Sequence, residues 1–186
     1  MRIIGITGTL GAGKGTIVEY LQKEHDFLHF SVRDFLTTEI EKRDLPLNRD
    51  SMVEVANDLR AKHAPSYIVE QLYVLAEKSG KDSIIESIRT MGEVKALRQL
   101  SGFRLLAVDA PAELRYERIT ERKSATDSVS YETFLDNEKR EMTSTDDTKQ
   151  NLAACIAAAD FKLVNNGSFE ELFAQIETAL EQVYSK

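Results

Sequence analysis

The sequence has a single cysteine, Cys155, only three prolines, no tryptophan and no long apolar run. One cysteine excludes an internal disulfide and any cysteine-built zinc cluster. Without an extended apolar stretch, no membrane-spanning helix is expected. Positive charge is also in deficit: 24 Lys and Arg face 31 Asp and Glu, giving a formal net charge of −7. A duplex-binding protein is more often basic, so no DNA partner is expected. The opening apolar run is short and feeds directly into a glycine-rich turn, which is not the layout of a secretory leader. A cytoplasmic setting is therefore the expectation. Most remaining charges read as solvated helix faces. At 186 residues the chain suffices for one α/β domain with a sizeable core, spanning 1–186.

What is present begins with Gly8-Thr9-Leu10-Gly11-Ala12-Gly13-Lys14-Gly15-Thr16. An apolar, β-branched stretch, Ile3 to Thr7, precedes it, and Ile17, Val18 and Leu21 follow at helical spacing. Strand, glycine-rich turn and helix in that order are the context of a phosphate-binding loop. Glycines let the backbone wrap closely round a ligand, and the loop N–H groups and the helix N-terminus then converge on phosphate oxygens. Lys14 adds a full charge for the outer phosphates. Residues Gly8 to Thr16 are thus the expected cofactor-binding segment. Most such loops place Ser or Thr directly after the lysine as a Mg²⁺ ligand. Here Gly15 stands there and Thr16 follows.

Along the chain the periodicity predicts helices over about Lys14–Glu24, after Ser31 or Asp34, after Asn48 or Asp50, from Pro65 to near Ser79, through Met91 to Leu100, from Pro111, from Tyr131 to Met142, over roughly Asp147–Ala159, and from Gly167 to near Val183. Between them lie short strands around Phe27–Ser31, Ser83–Glu86, Phe103–Asp109 and Phe161–Val164. Five strands separated by helices imply parallel pairing and a three-layer α/β/α domain. His25, His29 and His63 show no metal spacing and read as packing or surface residues.

Gly-Ala-Gly-Lys-Gly-Thr at residues 11–16 resembles the adenylate kinase branch of the nucleoside monophosphate kinases. That kinase resemblance implies ATP and Mg²⁺ as the ligands of residues Gly8 to Thr16. Four further stretches extend the resemblance. His29 to Leu36 is similar to the segment that opens the acceptor site, with Arg33 before Asp34 and Thr37 after Leu36 where the family has Gly before the Asp and Arg after the Leu. The resemblance implies Ser31, Arg33 and Asp34 as acceptor-site residues; the alternative for Asp34 is a helix cap. Ile84 to Thr90 resembles the family's Asp-Gly-Phe-Pro-Arg stretch, with Glu86 in the Asp place, Ser87 in the Gly place and one residue missing before Arg89. It implies Glu86 as a carboxylate acting on Mg²⁺ through water, and Arg89 as a catalytic and acceptor-phosphate residue. Arg60 is a further candidate there.

Asp109 to Arg122 resembles the approach to the family's lid. It implies Arg118 against the donor adenine and Arg122 on the transferring phosphoryl. Arg118 and Arg122 share a helix face, and the alternative is a solvated face paired with Glu117 and Glu121. Ala159 to Ser168 matches a strand–turn–helix found in nucleotide kinases and dephospho-CoA kinases, implying Asn165 beside the donor base or, equally, a simple turn. An acceptor-binding insert over about 32–80 and a short lid over about 122–130 complete the expectation, with Arg140 and the polar run 143–148 as further lid candidates. As a whole the chain looks closest to a largely archaeal branch of P-loop kinases similar to adenylate and cytidylate kinases. The implied activity is transfer of the γ-phosphoryl of ATP to a (deoxy)nucleoside monophosphate, with Lys14, Arg89 and Arg122 as the catalytic set. Phosphorylation of dephospho-CoA is one alternative; a regulatory ATPase or switch is another.

Overall fold

The computed structural model describes residues 1–122, 129–146 and 149–184. Five strands, β1 (Ile3–Gly8), β2 (Leu28–Ser31), β3 (Ser83–Glu86), β4 (Phe103–Asp109) and β5 (Phe161–Val164), form one parallel sheet in the order β2-β3-β1-β4-β5. The helices are α1 (Lys14–His25), α2 (Val32–Lys42), α3 (Arg49–Lys62), α4 (Tyr67–Ser79), α5 (Met91–Leu97), α6 (Ala112–Arg122), α7 (Tyr131–Met142), α8 (Leu152–Ala157) and α9 (Phe169–Tyr184). This is the expected α/β/α architecture.

Every residue of β1 is buried, which is why its sequence runs apolar rather than alternating. Successive side chains still go to opposite layers. Ile3 packs with α2–α5, including Leu36, Val55, Leu72 and Leu97. Ile4 and Ile6 pack with α1 and α9, including Ile17, Leu21, Leu172 and Ile176. The chain reverses direction of winding at β1, with β3 on one side and β4 on the other. Ligands of open α/β sheets bind at such a switch point, beyond the strands' C-terminal ends.

Caps fix where several helices start. Ser31 accepts from the amide of Asp34 at 3.1 Å, and Asn48 from that of Ser51 at 2.9 Å. Each cap of this kind is worth about 1 kcal/mol. Thr90 and Glu93 form a reciprocal capping box at α5. Two helices differ from expectation. α5 ends at Leu97 in tight i→i+3 turns, so Leu100 lies beyond it. α8 is confined to Leu152–Ala157 because Asn151 caps it, accepting from Ala154 N at 3.1 Å. Of the expected lid, residues 123–128 lie outside the described residues, as do 147 and 148 of the polar run.

Candidate active site

The turn after β1 encloses its lysine. Lys14 Nζ donates to the carbonyls of Gly8 and Thr9, both at 2.9 Å. Two glycines have a steric reason to be there. Gly8 has φ +144, and a Cβ would sit 2.1 Å from the Val108 carbonyl oxygen. Gly13 has φ +102, and a Cβ would sit 2.2 Å from Asn165 Nδ2. The loop is held from outside by Thr9 Oγ1 donating to Asp109 at 2.7 Å, and by Asn165 Nδ2 donating to the Ala12 carbonyl at 2.9 Å. Arg115, buried, donates to the carbonyls of Leu10 and Ala110 and pairs with Glu138 of α7.

A cavity of about 860 Å³ opens at the C-terminal ends of β1 and β3. Leu10, Gly11, Gly13, Lys14, Gly15 and Thr16 line it, with Arg118, Arg122 and Asn165. Arg118 Nη2 reaches Asn165 Oδ1 at 3.4 Å, while its Nη1 is buried without a hydrogen-bond partner. Arg33, Arg49, Arg60 and Arg89 line it too, as do the apolar Val32, Leu36, Met52, Val53 and Ala56. The surplus of guanidinium groups makes the cavity a trap for anions inside an acidic protein.

Glu86 lies at the end of β3 and also lines the cavity. Its Oε1 accepts from Ser87 Oγ at 3.1 Å, and its Oε2 lies 3.3 Å from His29 Nε2. Burial favours protonation of Glu86, but His29, Lys14 and the Ser87 hydroxyl together hold its pKa below the ordinary value. Lys14 is displaced the other way. Burial, reinforced by the charges of Arg89 and Arg122, outweighs Glu86 and Glu141 and brings its pKa down to about 8.

Of the residues expected from sequence, Lys14, Arg33, Arg60, Glu86, Arg89, Arg118, Arg122 and Asn165 meet round the cavity. Ser31 and Asp34 do not line it. The Ser31 hydroxyl is taken up as the α2 cap, and Asp34 is exposed in the first turn. Gly8, Thr9 and Ala12 contribute through carbonyls, which hold Lys14 and Asn165. His29, expected as a packing or surface residue, lies beside Glu86 without lining the cavity.

Three residues, Arg49, Glu93 and Glu141, were not among those expected from the sequence. Glu93 is fully buried and takes Arg60 Nη2 at 2.7 Å and Nε at 3.2 Å on one oxygen. Its other oxygen accepts from the backbone amides of Arg89 and Thr90, at 2.9 and 3.1 Å. Glu141 of α7 bridges Arg49 and Arg89. Only Glu93 had a local signal, the Thr-x-x-Glu spacing of a capping box.

Glycine loop, buried strand and switch-point cavity define a P-loop nucleotide-binding domain, and the sequence model of the AAA domain family matches residues 4–145. Within that class the chain belongs to the UPF0200 family. It is 31% identical to a UPF0200 protein of Methanocaldococcus jannaschii over 98% of this chain and 91% of that one. The fold is that of the P-loop kinases. Shikimate kinase from Aquifex aeolicus superposes with a TM-score of 0.57 at 16% identity, over 97% of both chains. Dephospho-CoA kinase from Campylobacter jejuni does so with 0.55 at 14% identity, over 100% of this chain and 98% of that one.

Proposed function

We propose that the protein transfers the γ-phosphoryl of ATP to a (deoxy)nucleoside monophosphate. One observation carries this: a P-loop lysine and arginines from two regions of the chain, α6 on the one hand and α2, α3 and the loop after β3 on the other, line a single cavity. A hydrolase or switch needs the first group; an anionic acceptor gives the second a purpose. The apolar residues of the lining suit the flat face of a base.

In this reading the triphosphate lies on Gly8 to Thr16, with Arg118 along its base and Asn165 beside it. Arg33, Arg60 and Arg89 hold the acceptor phosphate. An acceptor phosphate oxygen attacks the γ-phosphorus, the bond to the β–γ bridging oxygen breaks, and that oxygen leaves with its electron pair on ADP. No side-chain nucleophile is required; the protein positions the partners and neutralises charge. Lys14 and Arg122 bear on the charge of the moving group, and losing one such preorganised contact costs about 3 kcal/mol of barrier, near a hundredfold in rate. The hydroxyl of Thr16 and the carboxylate of Glu86, both on the cavity lining, are the hard oxygen donors that Mg²⁺ accepts, directly or through water. Bound with the nucleotide, Mg²⁺ supplies further neutralisation of phosphate charge. The reading places the protein in the cytoplasm with a small-molecule partner; among the described residues no helix is long and apolar enough to cross a membrane.

The test is an acceptor screen. Purified protein with ATP and Mg²⁺ converts at least one (deoxy)nucleoside monophosphate to its diphosphate, and Lys14→Ala abolishes the conversion. Only slow ATP hydrolysis across the full panel would overturn the reading and favour a regulatory ATPase. The fold shared with a dephospho-CoA kinase keeps dephospho-CoA as the second acceptor to include. Gly15, where those enzymes usually carry Ser, argues for the nucleotide acceptor.

A further inference from the structure

Resting on the kinase reading above, we propose that Glu141 stands in for the acceptor's phosphomonoester, and that Arg49 belongs to the subsite that binds it. Arg49 is the first residue of α3, and Arg89 follows β3; their partner Glu141 comes from α7. Three elements remote in sequence therefore converge on one carboxylate. Its Oε1 takes Arg49 Nη2, and its Oε2 takes Arg89 Nη1 at 3.0 Å. Glu141 is only 12% exposed and lies on the cavity lining with both arginines. Two guanidinium groups facing one buried point repel each other unless an anion sits between them.

A carboxylate fills that place incompletely. It carries one negative charge and two oxygens, both engaged here. A phosphomonoester carries close to two charges at neutral pH and three terminal oxygens. A third donor is already waiting. Arg60 is 3% exposed, lines the same cavity, and its Nη1 has no hydrogen-bond partner. Glu93 ties Arg60 to the backbone amide of Arg89, one member of the arginine pair. Glu141 is also near enough to Lys14 to act on its charge. An anion replacing the carboxylate is therefore within electrostatic reach of the lysine of the donor loop, where an acceptor has to be. The acceptor phosphate binds by displacing Glu141, so the carboxylate holds the arginines in place when the site is empty and competes when it is not.

The experiment fills the donor loop with a non-hydrolysable ATP analogue and Mg²⁺, then titrates inorganic phosphate and the monophosphate panel by calorimetry. Acceptor KM is measured in parallel. Glu141→Gln removes the competing charge and is expected to tighten phosphate binding and lower acceptor KM at least fivefold. Arg49→Ala is expected to weaken both at least tenfold. Arg49→Lys, which keeps the charge without the fork, replaces it if the alanine variant does not fold, and is expected to weaken both as well. Unchanged or weaker binding in Glu141→Gln, or unchanged binding in the Arg49 variant, overturns the proposal. The two readings fail separately. Phosphorylated monophosphates with an unaltered KM in Glu141→Gln leave the kinase standing and remove the stand-in. Tighter phosphate binding in that variant with no acceptor phosphorylated does the reverse.

Discussion

Glu93 divides its two carboxylate oxygens between Arg60 and the backbone amides of Arg89 and Thr90. One fully buried carboxylate thus starts helix α5, fixes the loop that carries Arg89, and holds Arg60 against the cavity. Removing one partner of a buried ion pair leaves the other charge uncompensated and costs about 3–5 kcal/mol. Glu93→Leu is expected to lose that much in urea unfolding. Replacing both partners with apolar groups removes the penalty, so Arg60→Leu in the same chain is expected to recover most of the loss. If the double variant is no more stable than the single, the pair does not account for the stability.

Asn165 and Gly13 share a second contact of this kind. A Cβ at residue 13 would lie 2.2 Å from Asn165 Nδ2, at a backbone φ of +102. Gly13→Ala is expected to destabilise through both terms, the left-handed backbone contributing about 1–2 kcal/mol. Asn165→Ala removes the colliding atom but not the backbone term. In a double-mutant cycle followed by thermal unfolding, Asn165→Ala is expected to relieve part of the Gly13→Ala cost. Strict additivity would mean that the collision is avoided by movement elsewhere.

How far each part of the site shows in the sequence follows from distance along the chain. The phosphate loop is contiguous: the glycines, Lys14 and the flanking strand and helix lie within one short stretch, so spacing alone exposes it. The sheet was legible for the same reason, since each strand is a short apolar run between helices. Arg60 and Glu93 are 33 residues apart, Arg89 and Glu141 are 52 apart, and Arg49 and Glu141 are 92 apart. No local pattern couples such pairs; the fold brings them together. Ser31 and Asp34 show a different limit, since the sequence offered both an acceptor-site and a capping role for them. The residue types that bind ligands at a strand end also cap helices, and capping is what Ser31 does here.

Ser87 occupies a left-handed backbone conformation, φ 71, where the sequence resemblance places glycine. The amides of Ser87 and Ile88 both donate to the Ile6 carbonyl, at 3.0 and 3.1 Å, so the turn is pinned to β1 and cannot relax. A β-branched side chain tolerates this region worst. Ser87→Val is expected to be less stable than Ser87→Gly by about 1–2 kcal/mol or more in chemical denaturation. Equal stability of the two variants would show that the turn is free to change its conformation.

The depressed pKa of Lys14 makes nucleotide binding depend on pH in a definite direction. Burial, aided by Arg89 and Arg122, brings the group to about 8 in the ligand-free protein. The unfolded chain keeps the ordinary value of 10.5 and binds more protons between the two, so the contribution of Lys14 to stability rises with pH through that window. A bound polyphosphate acts oppositely, favouring the ammonium form and raising the pKa again. Below pH 8 the lysine is already charged and binding takes up no proton there. Above it, binding has to protonate Lys14, and affinity is expected to fall by up to about tenfold per pH unit. Calorimetry of a non-hydrolysable ATP analogue at pH 9, in two buffers of different ionisation enthalpy, is expected to show uptake of close to one proton, roughly the fraction deprotonated one unit above the pKa. Lys14→Met should abolish that uptake along with most of the affinity. Proton uptake that survives the substitution would assign it to another group, and no uptake in the wild type would mean that the lysine carries its charge at pH 9 without the nucleotide.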